Sequence, residues 1–104
     1  MTPQSVPVAW PDEIQPGDMK VVTVNGRRVA IANADGRFYA FDDTCTHEEC
    51  SLGEGCLEGT VITCPCHLAQ FDITSGAVVA PPAPRPVQTY VVRLVNGQLV
   101  VDVV

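Results

Sequence analysis

The sequence predicts an all-β protein, in which a β scaffold assembled from both ends of the chain carries an inserted metal-binding lobe. Three observations predict it. Asn-Gly or Asp-Gly pairs separate extended runs at 25–26, 35–36 and 96–97. Helical periodicity is hard to find anywhere. The middle of the chain holds all five cysteines and both histidines.

Lys20 to Val24 is rich in β-branched side chains, which fit a pleated surface. Asn25-Gly26 then supplies a two-residue turn, favoured because a type I′ turn needs positive φ at both central positions. Arg28 to Ala32 resumes the extended pattern, and Asp35-Gly36 leads into Arg37 to Phe41. Tyr90 to Val95, Asn96-Gly97 and Gln98 to Val104 repeat the arrangement near the C-terminus. Alternation within these runs is imperfect, so the strands are clearer than their facing. Pro11 to Ile14 offers a single helical turn at most. In the lobe, Gly59 to Thr63 and Phe71 to Ile73 read as short extended pieces between glycine-containing turns. The expected organisation is one domain over 1–104, with a basal scaffold at about 1–42 and 87–104 and a lobe at about 43–86.

A chain of 104 residues supports one modest core, so a bound cofactor would add useful stability. The formal net charge of −6 disfavours nucleic acid and anionic membrane, and steers the protein towards a basic patch on a partner. The N-terminus lacks the positive and apolar regions of a secretory signal, and no run approaches the ~20 apolar residues that span a bilayer. The expectation is a soluble, cytoplasmic protein. Its five cysteines leave three explanations: a disulfide framework, a zinc site or an iron–sulfur site. An odd count without an export signal weakens the first.

Spacing weighs the other two. Cys45-Thr46-His47 and Cys64-Pro65-Cys66-His67 form C-x-H followed by C-x-x-H. Each half offers one soft thiolate and one imidazole. Two loops can therefore gather two sulfurs on one side and two nitrogens on the other, which suits a two-iron cluster with one iron on each pair. Zinc modules group like ligands, as in C-x₂₋₄-C followed by H-x₃₋₅-H, whereas here Cys and His alternate. The alternation favours iron–sulfur, with a structural zinc site as the remote alternative.

These motifs, with Phe71-Asp72, the Thr74-Ser75-Gly76 turn and Pro82-Ala83-Pro84, resemble the Rieske family over essentially the whole chain. The resemblance implies a Rieske-type antiparallel β-sandwich or incomplete barrel with an inserted cluster-binding lobe. It implies one [2Fe–2S] cluster per chain, with Cys45 and Cys64 on the inner iron, His47 and His67 on the outer iron, and Pro82 to Pro84 covering the cluster. Two ferric ions, two sulfides and two thiolates sum to zero charge, so Rieske potentials, at roughly −150 to +300 mV, lie far above those of plant-type ferredoxins. High-potential members place hydroxyl donors just after the second motif. Ala69 and Phe71 stand at the matching positions, which predicts a potential near the low end, about −150 mV.

Cys50 and Cys66 match the positions that high-potential members link by a disulfide. The resemblance leaves two states open: a bridge holding the cluster loops, or two apolar thiols packed between them. Cys56 then has no evident partner, and packing is its expected role. Glu48, Glu49, Glu54 and Glu58 form an acidic run read as a solvated face or a docking patch for a basic partner. Trp10 reads as a core or edge-covering residue, and Leu68 with Pro81 to Pro84 as an apolar rim.

No catalytic apparatus is visible apart from the cluster, so the chain reads as a carrier rather than an enzyme. The form resembles the ferredoxin of bacterial multicomponent aromatic-ring dioxygenases. That resemblance implies a monomer docking transiently with an NAD(P)H-dependent flavoprotein reductase and a terminal Rieske oxygenase. Two relatives of the idea stay open: a small subunit of a nitrite reductase-like enzyme, and a high-potential Rieske subunit.

Overall fold

Three hairpins form where the turn dipeptides stand. In the computed structural model, which describes residues 4–46, 50–66, 68–81 and 85–103, Asn25, Asp35 and Asn96 all have positive φ (50°, 58° and 51°), as do the glycines that follow them. That is the type I′ arrangement, whose twist matches the flanking strands. The turns join β2 (Met19–Val24) to β3 (Arg27–Ala34), β3 to β4 (Arg37–Asp42), and β9 (Thr89–Val95) to β10 (Gln98–Val103).

These strands belong to a six-stranded antiparallel sheet in the order β1-β10-β9-β4-β3-β2. The sequence offers no strand before Lys20, yet Gln4–Ala9 is β1, paired with β10. Pro7 obscures it. Proline is tolerated there because β1 is an edge strand with a bulge between Pro7 and Ala9. Pro11–Glu13 makes one 3₁₀ turn. β9 meets β4 only at Thr89 and Tyr90. There Tyr90 donates its hydroxyl to Asp42 at 2.5 Å, and burial pushes the phenol pKa up. Farther out, Arg93 grips Asp102 with two bonds of 2.9 and 3.0 Å, while Ser5 donates to the same carboxylate at 2.7 Å. This lashes β9, β10 and β1 together and holds the Asp102 carboxyl below the usual range.

A second, four-stranded antiparallel sheet, β5 (Cys56–Glu58), β6 (Val61–Thr63), β7 (Gln70–Asp72) and β8 (Val78–Ala80), is inserted in the sequence between β4 and β9, which pair directly with each other. Each of its strands is three residues long, too short for periodicity to reveal. The imperfect alternation of β3 now has a physical cause: both its faces are buried. Val29 and Ile31 face one core, with Ala40, Leu99 and Val101. Ala30, Ala32 and Ala34 face another, shared with Phe41, Leu52, Ile62 and Phe71. Small alanines on that side leave room for the larger side chains of the lobe to pack closely. No described helix is long and apolar enough to cross a membrane.

Candidate metal centre

The first loop leaves β4 and is closed by successive antiparallel rungs. Leu52 N–H donates to Asp43 C=O at 2.7 Å, Thr44 bridges Ser51, and Cys45 N–H donates to Cys50 C=O at 2.9 Å. These rungs bring Cys45, 3% exposed, to the edge of the core that holds Leu52 and Phe71.

The second loop joins β6 to β7. Cys64 N–H donates to Ala69 C=O at 2.7 Å, and Leu68 N–H returns to Cys64 C=O at 3.1 Å. Closing so short a turn puts Leu68 at φ 62°, a conformation that costs a non-glycine residue energy. Its side chain is 67% exposed, whereas Cys64 and Ala69 are fully buried. Phe71, also fully buried, anchors β7 from below.

The two loops are joined. Cys50 and Cys66 form a disulfide with their Cα atoms 6.4 Å apart. The sulfurs of Cys50, Cys64 and Cys66 all lie within 4.8 Å of one another, and Cys45 is not one of that trio. Two of the three, Cys50 and Cys66, are committed to each other. A third segment is tied in where the Thr46 hydroxyl donates to Arg85 C=O at 2.7 Å. Behind it, Gly76 (φ 81°) sits so close to Val87 C=O that a Cβ there would collide with the oxygen.

His47, His67, Glu48, Glu49, Pro82, Ala83 and Pro84 lie outside the described residues. Glu54 and Glu58 are exposed. Trp10 is half exposed, its ring near the Gly97 turn, so it is not a core residue. Cys56 corrects an expectation: it is exposed on β5, not packed. The inward side chain of that strand is Leu57, which packs on the lobe core. Sequence reasoning missed Asp43, Ser51 and Gly53, which brace the first loop. An acidic residue two positions before a cysteine carries no signal of burial.

Residues 4–91 match the family profile described as the Rieske [2Fe-2S] domain. This chain belongs to the Rieske family. Among Rieske relatives it is 40% identical over 92 residues to the biphenyl dioxygenase ferredoxin subunit of Pseudomonas sp. (strain KKS102), covering 88% of this chain and 84% of that one. It is 36% identical over 96 residues to the ferredoxin component of the naphthalene 1,2-dioxygenase/salicylate 5-hydroxylase systems of Ralstonia sp., covering 92% of each. A chain of the solved complex of reduced oxygenase and oxidized ferredoxin in carbazole 1,9a-dioxygenase superposes with a TM-score of 0.89 at 34% identity, covering 93% of this chain and 91% of that one. The cofactor of the Rieske domain is a [2Fe–2S] cluster, and the described part of the site suits it. Cys45 and Cys64 are soft donors buried at the closed ends of two loops, where a thiolate needs a metal to offset its lost hydration.

Proposed function

We propose that this Rieske protein is the ferredoxin of a multicomponent aromatic-ring dioxygenase. It takes electrons one at a time from an NAD(P)H-dependent flavoprotein reductase and passes them to a terminal Rieske oxygenase that dihydroxylates aromatic compounds. Identity with ferredoxin subunits over nearly the whole chain is the observation that carries this reading.

Cys45 and Cys64 would hold one iron through thiolates, and His47 and His67 the other through imidazoles. When bound, the cluster accepts and returns a single electron. The chain does the rest: hydrogen-bonded rungs keep the thiols buried, and the Cys50–Cys66 bridge fixes one loop against the other. Exposed Leu68 and Pro81 offer an apolar rim, and Glu54 and Glu58 offer acidic edges to a basic partner. Docking is transient, at the small end of interface sizes, because one surface serves donor and acceptor in turn. The carrier acts as a monomer in the cytoplasm, where NAD(P)H is available, and contains no catalytic residue.

The test is reconstitution with a flavoprotein reductase and a Rieske oxygenase of the biphenyl class. Oxidation of NADH coupled to diol formation should require this protein and slow as salt screens the acidic edges. Reduction by the reductase with no transfer to any oxygenase would count against the reading. Ala69→Ser supplies a hydroxyl donor beside the Cys64 loop. One net hydrogen bond to the reduced centre, at ~1 kcal/mol, raises the potential by about 40 mV for a one-electron couple. Protein-film voltammetry reads that shift; an unchanged potential would remove the missing hydroxyl as the cause of a low value.

A further inference from the structure

Asp43 is a carboxylate that the mechanism does not use, and it is 1% exposed. Its Oδ1 accepts the Ser51 hydroxyl and the Gly53 N–H, both at 2.8 Å. Its Oδ2 pairs with Arg28 Nη2 at 3.3 Å, and its N–H donates to Arg28 C=O at 3.0 Å. Its own carbonyl accepts the Leu52 N–H that forms the first rung of the Cys45 loop. Gly53 is fitted to this arrangement. A Cβ there would run into the Val21 side chain and come 2.9 Å from Asp43 Oδ1, forcing the N–H off its acceptor. One side chain therefore pins both strands of the loop neck to β3. The loop above that neck carries Cys45 on one side and Cys50 on the other.

We propose that Asp43 is the positioning residue of the first cluster loop and the fixed negative charge that helps hold the reduction potential low; this rests on the reading of Cys45 as a cluster ligand. The charge is buried, so solvent screens it poorly, and it stands two residues from Cys45. Adding an electron to a cluster held through Cys45 would be disfavoured by that charge. Arg28, 59% exposed and lining a cleft with Asp43, Thr44, Cys50 and Ser51, partly offsets that charge from the solvent side. The two residues therefore push the potential in opposite directions, which a purely structural brace would not do.

Three variants of the holoprotein test this, each compared with wild type by voltammetry and by the rate of cluster bleaching in chelator. Asp43→Asn keeps an acceptor for Ser51 and Gly53 but removes the charge. It should favour reduction by about threefold, equivalent to a rise of about 28 mV at 59 mV per tenfold. Arg28→Gln leaves the bonds from Ser51 and Gly53 in place and should lower the potential. Asp43→Ala removes charge and acceptor together and should release the cluster several-fold faster than Asp43→Asn. Potentials of the Asn and Gln variants that stay fixed or move together overturn the proposal, as does an alanine variant that keeps its cluster like wild type. Should Asp43→Asn fail to fold, Arg28→Gln decides alone. A wild-type protein that binds no iron and sulfide would defeat the ligand reading, an outcome distinct from all of these.

Discussion

Cys64→Ala should yield a protein with less than a tenth of the wild-type iron and acid-labile sulfide, and Cys45→Ala should do the same. Both thiols sit at the closed ends of hydrogen-bonded loops and belong to one core with Phe41, Leu52, Ile62 and Phe71. Alanine leaves that packing nearly intact, so loss of the cluster can be separated from collapse of the fold. A ligand that binds only the folded chain adds about 4 kcal/mol at a thousandfold excess over its Kd. Each variant should therefore unfold at markedly lower temperature, while far-ultraviolet circular dichroism at 20 °C keeps its β signature. Stoichiometric iron and sulfide in either variant would remove that cysteine from the ligand set.

The second large effect concerns the bridge between the loops. Cys50 and Cys66 are 16 residues apart in sequence, and closing a loop of that size constrains the unfolded chain by about 3 kcal/mol. The Cys50→Ser/Cys66→Ser double variant should lose about that much stability, or roughly 10–20 °C in Tm for a domain of this size. Cluster release in chelator should quicken as the loops separate. Cys66 is exposed, so a small thiol can reach the bond and the wild-type protein under reductant should approach the variant. The bridge is then a brace conditional on the redox state of its surroundings. A double variant with unchanged Tm and cluster lifetime would show that the bridge carries no load.

The hairpins were legible because Asn-Gly and Asp-Gly supply the positive φ that a two-residue turn needs, and each such pair in the scaffold became one. The facing of β3 was not legible, since a strand buried on both sides has no polar face to mark the period. β1 was hidden by Pro7, which an edge strand tolerates, and β5 and β8 by their three-residue length. At the site, spacing picked out two loops, and the structure closes both by backbone bonds around buried cysteines. What spacing could not disclose was the brace beneath them. The burial of Asp43 depends on Gly53 approaching without a side chain and on Arg28 arriving from β3, contacts that exist only after folding. Cys56 went the other way: a residue type that usually packs inside instead faces solvent because β5 turns Leu57 inward.

The most direct measurement is electron paramagnetic resonance of the dithionite-reduced protein with ¹⁵N-labelled histidine. Resolved coupling to two imidazole nitrogens on a centre that takes up one electron per chain is the predicted result, with one coupling lost in each of His47→Cys and His67→Cys. A silent spectrum from a colourless protein containing zinc, or a reduced centre coupled to no histidine nitrogen, would contradict that ligand set.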